Sequence, residues 1–311
     1  MPELPDLTVY LEHLDALLRG ARLGGVRLAS PFLLRSVEPP LSACAGKRVL
    51  GFSRLGKRLV FELEDELFLV LHLMIAGRLR WSGEERAKIP GKVGCCAFDV
   101  ELPGGARGTL LLTEASPQKR ASLHVVRGRA ALAEHDPGGL EVDECDAAAF
   151  RAALTAERHT LKRALTDPRT FAGIGNAYSD EILHRARLSP VAMSTSLDDD
   201  AHRRLFDATR AVLTEWTERL RAKAQGQALP EKVTAFHDEM AVHGRAGKPC
   251  PACGSPVQKI VHGGHETNYC ATCQTGGRLL ADRALSRLLK EDWPRTLDEL
   301  ETMKREHRAR R

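Results

Sequence analysis

The sequence has no apolar run long enough to span a membrane and no basic-then-apolar segment at its amino terminus. These absences argue against a membrane protein and a secretory signal, so we expect a cytoplasmic protein that works away from membranes. Composition is not extreme either, since 43% of the 311 residues are hydrophobic and 28% are charged, as in globular domains. A net charge of +5 favours an anionic partner weakly, although any solvated surface could carry it.

Cysteine is scarce, and its eight copies fall into two groups. Four are scattered among apolar residues and are expected to be reduced, buried thiols: Cys44, Cys95, Cys96 and Cys145. The other four form two Cys-x2-Cys pairs with sixteen residues between them: Cys250, Cys253, Cys270 and Cys273. This is the ligand spacing of tetrahedral zinc, and four protein ligands leave no place for substrate. We therefore predict one structural zinc ion; a disulfide pair is the alternative, disfavoured by the missing secretory signal.

Short strands with turn signals dominate the first part of the chain. Residues 58–63 and 67–72 flank an acidic turn and predict one hairpin, and residues 97–113 predict a second. Strands are expected to continue to about Leu132. The pattern predicts a β-sandwich or barrel-like domain over residues 1–135.

Helical periodicity replaces the strand pattern after a candidate linker at residues 135–139. The predicted helical domain spans residues 146–225. Asp146 is expected to cap its first helix, and Ser196 with Asp199 resembles a capping box that opens a long helix.

A glycine-rich turn, Gly173-Ile174-Gly175-Asn176, enters a helix in the middle of this domain. Such a turn presents backbone N–H groups that suit a phosphate, although most glycine turns between helices are only structural.

The cysteine pairs define a predicted zinc finger over residues 242–277. A helical and basic extension follows over residues 278–311. We predict a helix at 279–289 and a disordered basic tail from 304. The tail either attracts nucleic acid or is merely solvated.

The amino terminus combines an amine with an acid. A small second residue, Pro2, permits removal of Met1 and leaves a secondary amine. An unperturbed amino terminus titrates at about 8, and the positive end of the helix that follows is expected to lower its pKa further. With the carboxyl group of Glu3 beside it, this amine is equipped for Schiff-base chemistry on a sugar carbon. The alternative is that the prolines only shape a helix start.

Together these features resemble the formamidopyrimidine-DNA glycosylase and endonuclease VIII family of base-excision repair enzymes. The motifs that carry the resemblance are Pro2-Glu3-Leu4-Pro5, Gly56-Lys57, Asp167 to Glu181, the approach Val242 to Cys250, and the four paired cysteines. They occur in the family's order over residues 1–277. The resemblance implies an α+β multidomain fold, with a helix-capped β-sandwich, a helix–two-turns–helix domain and a C-terminal zinc finger. It implies a monomer that holds duplex DNA with damaged or abasic sites between its two halves.

The resemblance also implies an activity and residue roles. The expected enzyme is a bifunctional DNA glycosylase and AP lyase that excises oxidised or ring-opened bases and then cleaves the strand by one or two eliminations. Pro2 would attack the sugar, and Glu3 would act as acid and base. Lys57 would hold a phosphate at the lesion, and Asn176 would hold the neighbouring one. The base must leave the stack before its glycosidic bond can be reached.

Several positions depart from the family pattern. Ile75, with Met74 beside it, stands where the family fills the space left by the extruded base. The loop from 114 to 122 lacks the usual aromatic wedge, and Lys119 or Arg120 would replace the arginine that reads the orphaned base. His265 occupies the place of the finger arginine that grips phosphate. These departures leave open a noncatalytic DNA-binding protein of the same fold. An RNA-binding zinc protein is a third reading, since similar helical motifs can grip RNA phosphates.

Overall fold

The structure is a computed structural model that describes residues 1–230, 233–262, 265–281 and 293–309. The strands are β1 (Arg22–Leu28), β2 (Val49–Leu55), β3 (Arg58–Leu63), β4 (Leu67–His72), β5 (Gly77–Ser82), β6 (Gly94–Glu101), β7 (Arg107–Glu114), β8 (Ser122–Arg127), β9 (Gln258–His262) and β10 (His265–Tyr269). The helices are α1 (Leu4–Leu18), α2 (Arg129–Ala133), α3 (Ala147–Thr155), α4 (Leu161–Thr166), α5 (Asn176–Ala186), α6 (Asp199–Ala224), α7 (Ala271–Thr275) and α8 (Leu297–Ala309). None of the helices in these ranges is both long and apolar enough to cross a membrane.

The chain divides into two compact units. The first unit comprises Met1–Gly139 and Thr214–Ala235, and the second comprises Leu140–Leu213 and Phe236–Arg311. In the first unit, two four-stranded antiparallel sheets have the strand orders β1-β6-β7-β5 and β2-β3-β4-β8. Apolar side chains of both sheets and of α1 form one core, so the predicted helix-capped sandwich is confirmed. Both predicted hairpins are present, as β3–β4 and β6–β7.

Helix α1 packs against the sandwich through one apolar face. Leu7, Tyr10, Leu14 and Leu18 recur at helical spacing and are almost completely buried. Each such aliphatic side chain contributes about 1.5–3 kcal/mol by leaving water. The Tyr10 hydroxyl donates a hydrogen bond to the Leu79 carbonyl and accepts one from the Leu79 N–H, both 2.8 Å long. Since β5 is an edge strand, this hydroxyl fixes α1 to the rim of its sheet.

Two local predictions were wrong, namely where the strands of the first domain end and which residue caps α6. Strands end at Arg127, and α2 follows Gly128, whose φ of +84° suits glycine and turns the chain. Helix α6 is capped by Asp198, which accepts a hydrogen bond from the Ala201 N–H at 2.7 Å. The Ser196 hydroxyl instead donates to the Met193 carbonyl. The cap predicted at Asp146 is confirmed, since its carboxylate accepts from the Ala149 N–H at 2.8 Å.

The second unit holds α3, α4, α5, the β9–β10 hairpin and the C-terminal segment. Helix α5 is buried over most of its length, with Tyr178, Ile182 and Leu183 in the core. Of the predicted helix at 279–289, the first three residues are not helical and the rest lies outside the described residues. The tail predicted to be disordered from 304 is part of α8 as far as Ala309.

An apolar cluster explains why α8 is ordered. Leu297 and Leu300 of α8 pack against Leu279, Leu280 and the hairpin residue Tyr269. The Leu280 N–H also donates to the Tyr269 hydroxyl at 2.8 Å. The extension is therefore attached to the finger hairpin by a small core of its own.

Candidate functional site

The first candidate site is the amino-terminal cluster, which we define as the Met1 amine with Glu3, Asp6, Lys57 and Arg78. Glu3 is the N-cap of α1 and is only 3% exposed. Its side chain accepts from the Asp6 N–H, while the Asp6 carboxylate accepts from the Glu3 N–H at 2.9 Å, which makes a reciprocal capping box. The short side chain of Asp6 is therefore long enough to close this box. Pro2 is buried beside it.

The amine of this cluster has a lowered pKa. Burial, which disfavours the charged ammonium, is the largest cause. Arg78 and Lys57 lower the pKa further through their positive charges, while Glu3 and Asp6 oppose the shift. This shift belongs to the Met1 amine, and the lowered pKa expected for the Pro2 amine after loss of Met1 stays a prediction.

Lys57 lies in the two-residue turn of the β2–β3 hairpin, where Leu55 pairs with Arg58. Gly56 forms the other half of the turn with a φ of +56°, a conformation that glycine adopts without strain. His72, near the same lysine, has its pKa lowered to about 4 by burial, followed by the charges of Arg58 and Lys57. The imidazole is therefore neutral at pH 7.

The two candidate wedge residues lie in the turn that precedes β5. Met74 has a φ of +54°, and Ile75 is 65% exposed. The turn is closed by a hydrogen bond from the Gly77 N–H to the Leu73 carbonyl at 2.9 Å. A Cβ on Gly77 would lie 2.2 Å from that carbonyl oxygen, so only glycine fits. The fold thus presents an apolar side chain to solvent, and its role as a wedge stays a prediction.

The loop after β7 is shaped by a buried acid. The Glu114 carboxylate, 2% exposed, accepts hydrogen bonds from the N–H groups of Arg120 and Ala121. The Lys119 ammonium donates to the Gly94 carbonyl at 3.2 Å. Arg120 has an exposed side chain. Of the two predicted readers of the orphaned base, Arg120 is thus the more accessible.

In the second unit, Asn176 is the first residue of α5. Its side-chain amide donates to the Glu266 carbonyl in β10 at 2.8 Å, and its own carbonyl accepts from the Lys162 ammonium at 2.6 Å. The turn before α5 is therefore fixed to the finger hairpin. The side chain of His265 lies outside the described part of the chain, so its predicted phosphate contact stays a prediction.

Sequence reasoning missed two buried acids on α5. Asp180 contacts the Lys162 ammonium, the His243 ring at 2.8 Å and the Asn268 N–H at 3.1 Å. Glu181 accepts hydrogen bonds from three successive N–H groups, those of residues 241–243. Burial has the largest influence on the pKa of Glu181 and raises it, while the three N–H donors act to lower it. The signal available in the sequence was an acidic pair directly followed by the apolar residues Ile182 and Leu183.

The second candidate site is the four-cysteine cluster. The Sγ atoms of Cys250, Cys253, Cys270 and Cys273 all lie within 4.8 Å of one another. Two of these separations are 3.3 Å, for Cys253–Cys270, and 4.0 Å, for Cys250–Cys273. A tetrahedral zinc with Zn–S bonds of about 2.3 Å needs sulfurs roughly 3.8 Å apart, so the donor set fits that ion. The predicted convergence of the two pairs is confirmed.

Three of the four scattered cysteines are buried as predicted, and the fourth is not. Cys44, Cys95 and Cys96 are buried and unpaired, and Cys145 is half-buried. Burial raises the pKa of the Cys44 thiol to about 11. Such thiols are protonated and unreactive at neutral pH.

Comparison with known proteins gives the same architecture. Three family profiles match in succession: the formamidopyrimidine-DNA glycosylase N-terminal domain over residues 1–174, its H2TH domain over 136–226, and the zinc finger found in FPG and IleRS over 247–276. The formamidopyrimidine-DNA glycosylase of Heliobacterium modesticaldum is 31% identical over 286 residues, 88% of this chain and 100% of that protein. The enzyme of that name from Thermus thermophilus is 33% identical over 293 residues, 89% of this chain and 100% of that protein.

Solved structures agree on the fold. Lactococcus lactis Fpg, solved in complex with DNA that contains an abasic site, superimposes with a TM-score of 0.77 over 88% of this chain and 99% of that one, at 24% identity. The profiles and the full-length relatives together establish that this chain belongs to the formamidopyrimidine-DNA glycosylase family.

Proposed function

We propose that this protein is a DNA glycosylase and AP lyase that removes oxidised or ring-opened bases from duplex DNA through the amine of Pro2. The observation that carries the proposal is the amino-terminal cluster. The Met1 amine, one residue before Pro2, is buried and has a lowered pKa, and the charges of Glu3, Arg78 and Lys57 act on it. We infer the same surroundings for the Pro2 amine once Met1 is removed. A neutral amine next to a carboxyl group is what imine formation on a sugar requires.

The chemistry follows from these groups. After loss of Met1, the Pro2 nitrogen attacks C1′ of the damaged nucleotide with its lone pair. The bond from C1′ to the base breaks, its electron pair leaves with the base, and the base takes up the proton that the Pro2 nitrogen loses. The sugar ring opens as Glu3 supplies a proton to the ring oxygen, which leaves an iminium between Pro2 and C1′. Loss of a proton from C2′ then expels the 3′ phosphate with the electron pair of its bond to C3′.

The remaining predicted residues suit the DNA backbone and the extruded nucleotide. Lys57, at the tip of its hairpin turn, is a cation for the phosphate nearest the reacting sugar. Asn176 begins a helix whose N-terminal N–H groups favour a second phosphate. Exposed Ile75, with Met74, would fill the gap left by the flipped base, and Arg120 or Lys119 would contact its partner. His265 would add a third phosphate contact.

Zinc completes the proposal as a structural ion. Held by Cys250, Cys253, Cys270 and Cys273, it would cross-link two chain segments and leave no position open to substrate. Its contribution is to folding, and no step of the reaction passes through it.

Borohydride trapping tests the proposal. The full-length protein is incubated with a duplex that contains one abasic site, and sodium borohydride reduces any imine to a stable amine. We expect a covalent adduct on the amino-terminal peptide, with Pro2 as the modified residue, and an intact mass of the free protein that lacks Met1. An adduct mapped to a lysine, or a protein that retains Met1, contradicts the proposed nucleophile.

A noncatalytic DNA-binding protein is the second candidate, favoured by the loop after β7, which has no aromatic residue to insert into the duplex. It predicts salt-dependent binding to the same abasic duplex with no adduct. It also predicts that Glu3→Gln leaves the behaviour unchanged.

A further inference from the structure

One face of α5 is attached to the finger at regular intervals. Asn176, Asp180 and His184 are four residues apart and share a face of the helix, which we name the α5 stripe. The Asn176 amide donates to the Glu266 carbonyl, and Asp180 accepts from the Asn268 N–H. At the end of the stripe, the His184 Nε2 atom lies 3.2 Å from the Cys250 sulfur.

The chemistry of the pair fixes the direction of that last contact. Cys250 is 2% exposed, and as a metal ligand it is a thiolate, which only accepts hydrogen bonds. The Nε2 atom of His184 must therefore carry the proton and donate it. A hydrogen bond to a ligating sulfur withdraws charge from it and holds it in the orientation that the metal needs.

We propose that His184 is a positioning residue for the metal site: it donates a hydrogen bond to the Cys250 thiolate and thereby links zinc occupancy to the turn at Asn176. The inference rests on the zinc proposed above. With the metal bound, Cys250 is fixed, His184 is fixed on it, and the opposite end of the stripe holds the turn through Asn176. Without the metal, the stripe loses one of its attachments.

The test compares His184→Phe with His202→Phe. His202 is a buried ring on α6 of the same unit, and its Nδ1 atom has no hydrogen-bond partner among the described residues. Its replacement removes a buried imidazole without touching the cysteines. Zinc affinity is measured by competition with a chromophoric chelator. We expect His184→Phe to weaken zinc binding by about 10–100-fold, and His202→Phe to leave it unchanged.

Two further readouts separate positioning from general stability. In the cobalt-substituted protein, the sulfur-to-cobalt charge-transfer band should shift in His184→Phe only, because only that change alters the electrons on a ligating sulfur. Amide exchange at residues 175–177 should quicken in the same variant. His184→Gln, whose amide can still donate, should restore the band and most of the zinc affinity.

The outcomes are distinguishable. If the wild-type protein, analysed for metal, holds no zinc in excess zinc, the proposed zinc site itself fails. If the wild type holds zinc and His184→Phe holds it equally well with an unshifted cobalt band, the positioning role is refuted. If His184→Phe does not fold, the zinc affinity of His184→Gln decides alone. A zinc affinity as low as that of a variant that lacks one cysteine ligand refutes the role of the donated hydrogen bond.

Discussion

The amino-terminal cluster and the α5 stripe are organised in opposite ways. Glu3 and Asp6 cap each other across three residues of sequence, so the start of α1 brings them together as soon as that helix forms. The stripe joins residues far apart in sequence: Asn176 to Glu266, 90 residues away, and His184 to Cys250, 66 residues away. The Glu3–Asp6 pair of the first arrangement is local, whereas the contacts of the stripe exist only once the second unit has packed. The two should therefore fail independently and for different reasons.

Removal of zinc should give the largest effect and tests that independence most severely. Chelation of the metal, or Cys273→Ser, removes a binding free energy on the order of 10–16 kcal/mol from the folding of the finger. We expect amide protection to be lost in β9, β10 and α7 and retained in the strands of the first unit. Cys145→Ser, a change at a cysteine outside the cluster, is the matched control and should have no such effect. Equal loss of amide protection in both units would contradict the independence of the two arrangements.

Glu3→Gln should separate chemistry from folding in the amino-terminal cluster. A glutamine oxygen can still accept from the Asp6 N–H, so the free energy of unfolding should change by less than about 1 kcal/mol. The rate of strand cleavage should fall by about 10²–10⁴-fold, because glutamine cannot transfer a proton. Glu12→Gln, on the exposed side of the same helix, should cleave at the wild-type rate. A Glu3→Gln protein of unchanged rate would leave this carboxylate with a capping role only.

Leu280→Ala should test whether the C-terminal extension supports the finger. Leu280 is 6% exposed and packs in the cluster around Tyr269, so its truncation should destabilise the second unit by about 2–5 kcal/mol. Val261→Ala, at a 43% exposed position in the same hairpin, should have little effect. Thermal unfolding in excess zinc measures both. Equal melting temperatures for the two variants would mean that α8 does not stabilise the hairpin.

Arg78→Gln should give the smallest effect, a shift in pH dependence. The positive charge of Arg78 lowers the pKa of the Met1 amine. The same charge should act on the Pro2 amine after Met1 is lost, so its removal should raise that pKa. Only the neutral amine attacks the sugar. In a profile of trapping rate against pH, the acid limb, where the rate falls as the pH is lowered, should therefore move to higher pH. Arg80→Gln, two residues along the same strand and exposed, should leave the limb in place. A limb that moves to lower pH in Arg78→Gln would contradict the sign of this influence.

Local patterns account for what the sequence predicted correctly. The β3–β4 hairpin follows from alternating apolar residues around Glu64-Asp65-Glu66, and the convergence of the cysteines follows from ligand spacing. The Asp146 cap was likewise readable from its neighbours. At the start of α6, several side chains in succession could accept the hydrogen bond that caps the helix. The Asp198 carboxylate accepts it, where Ser196 was expected to.

What the sequence did not reveal depends on packing between distant segments. Arg78 lies near the amine because β5 is fixed to α1, which no spacing in the sequence encodes. Asp180 has partners 18, 63 and 88 residues away. The contact between His184 and Cys250 likewise joins two segments that lie 66 residues apart in sequence. Residue types could be predicted at these places, but not their partners.

The hydroxyl of Tyr10 has a consequence for the stability of the strand that it contacts. It occupies both backbone hydrogen-bonding groups of Leu79, and neither residue is exposed to water. In Tyr10→Phe those two groups would be left without this partner inside the core, while the aromatic ring would still fill its place. The first symptom of losing this one oxygen atom should thus be unfolding at a lower temperature.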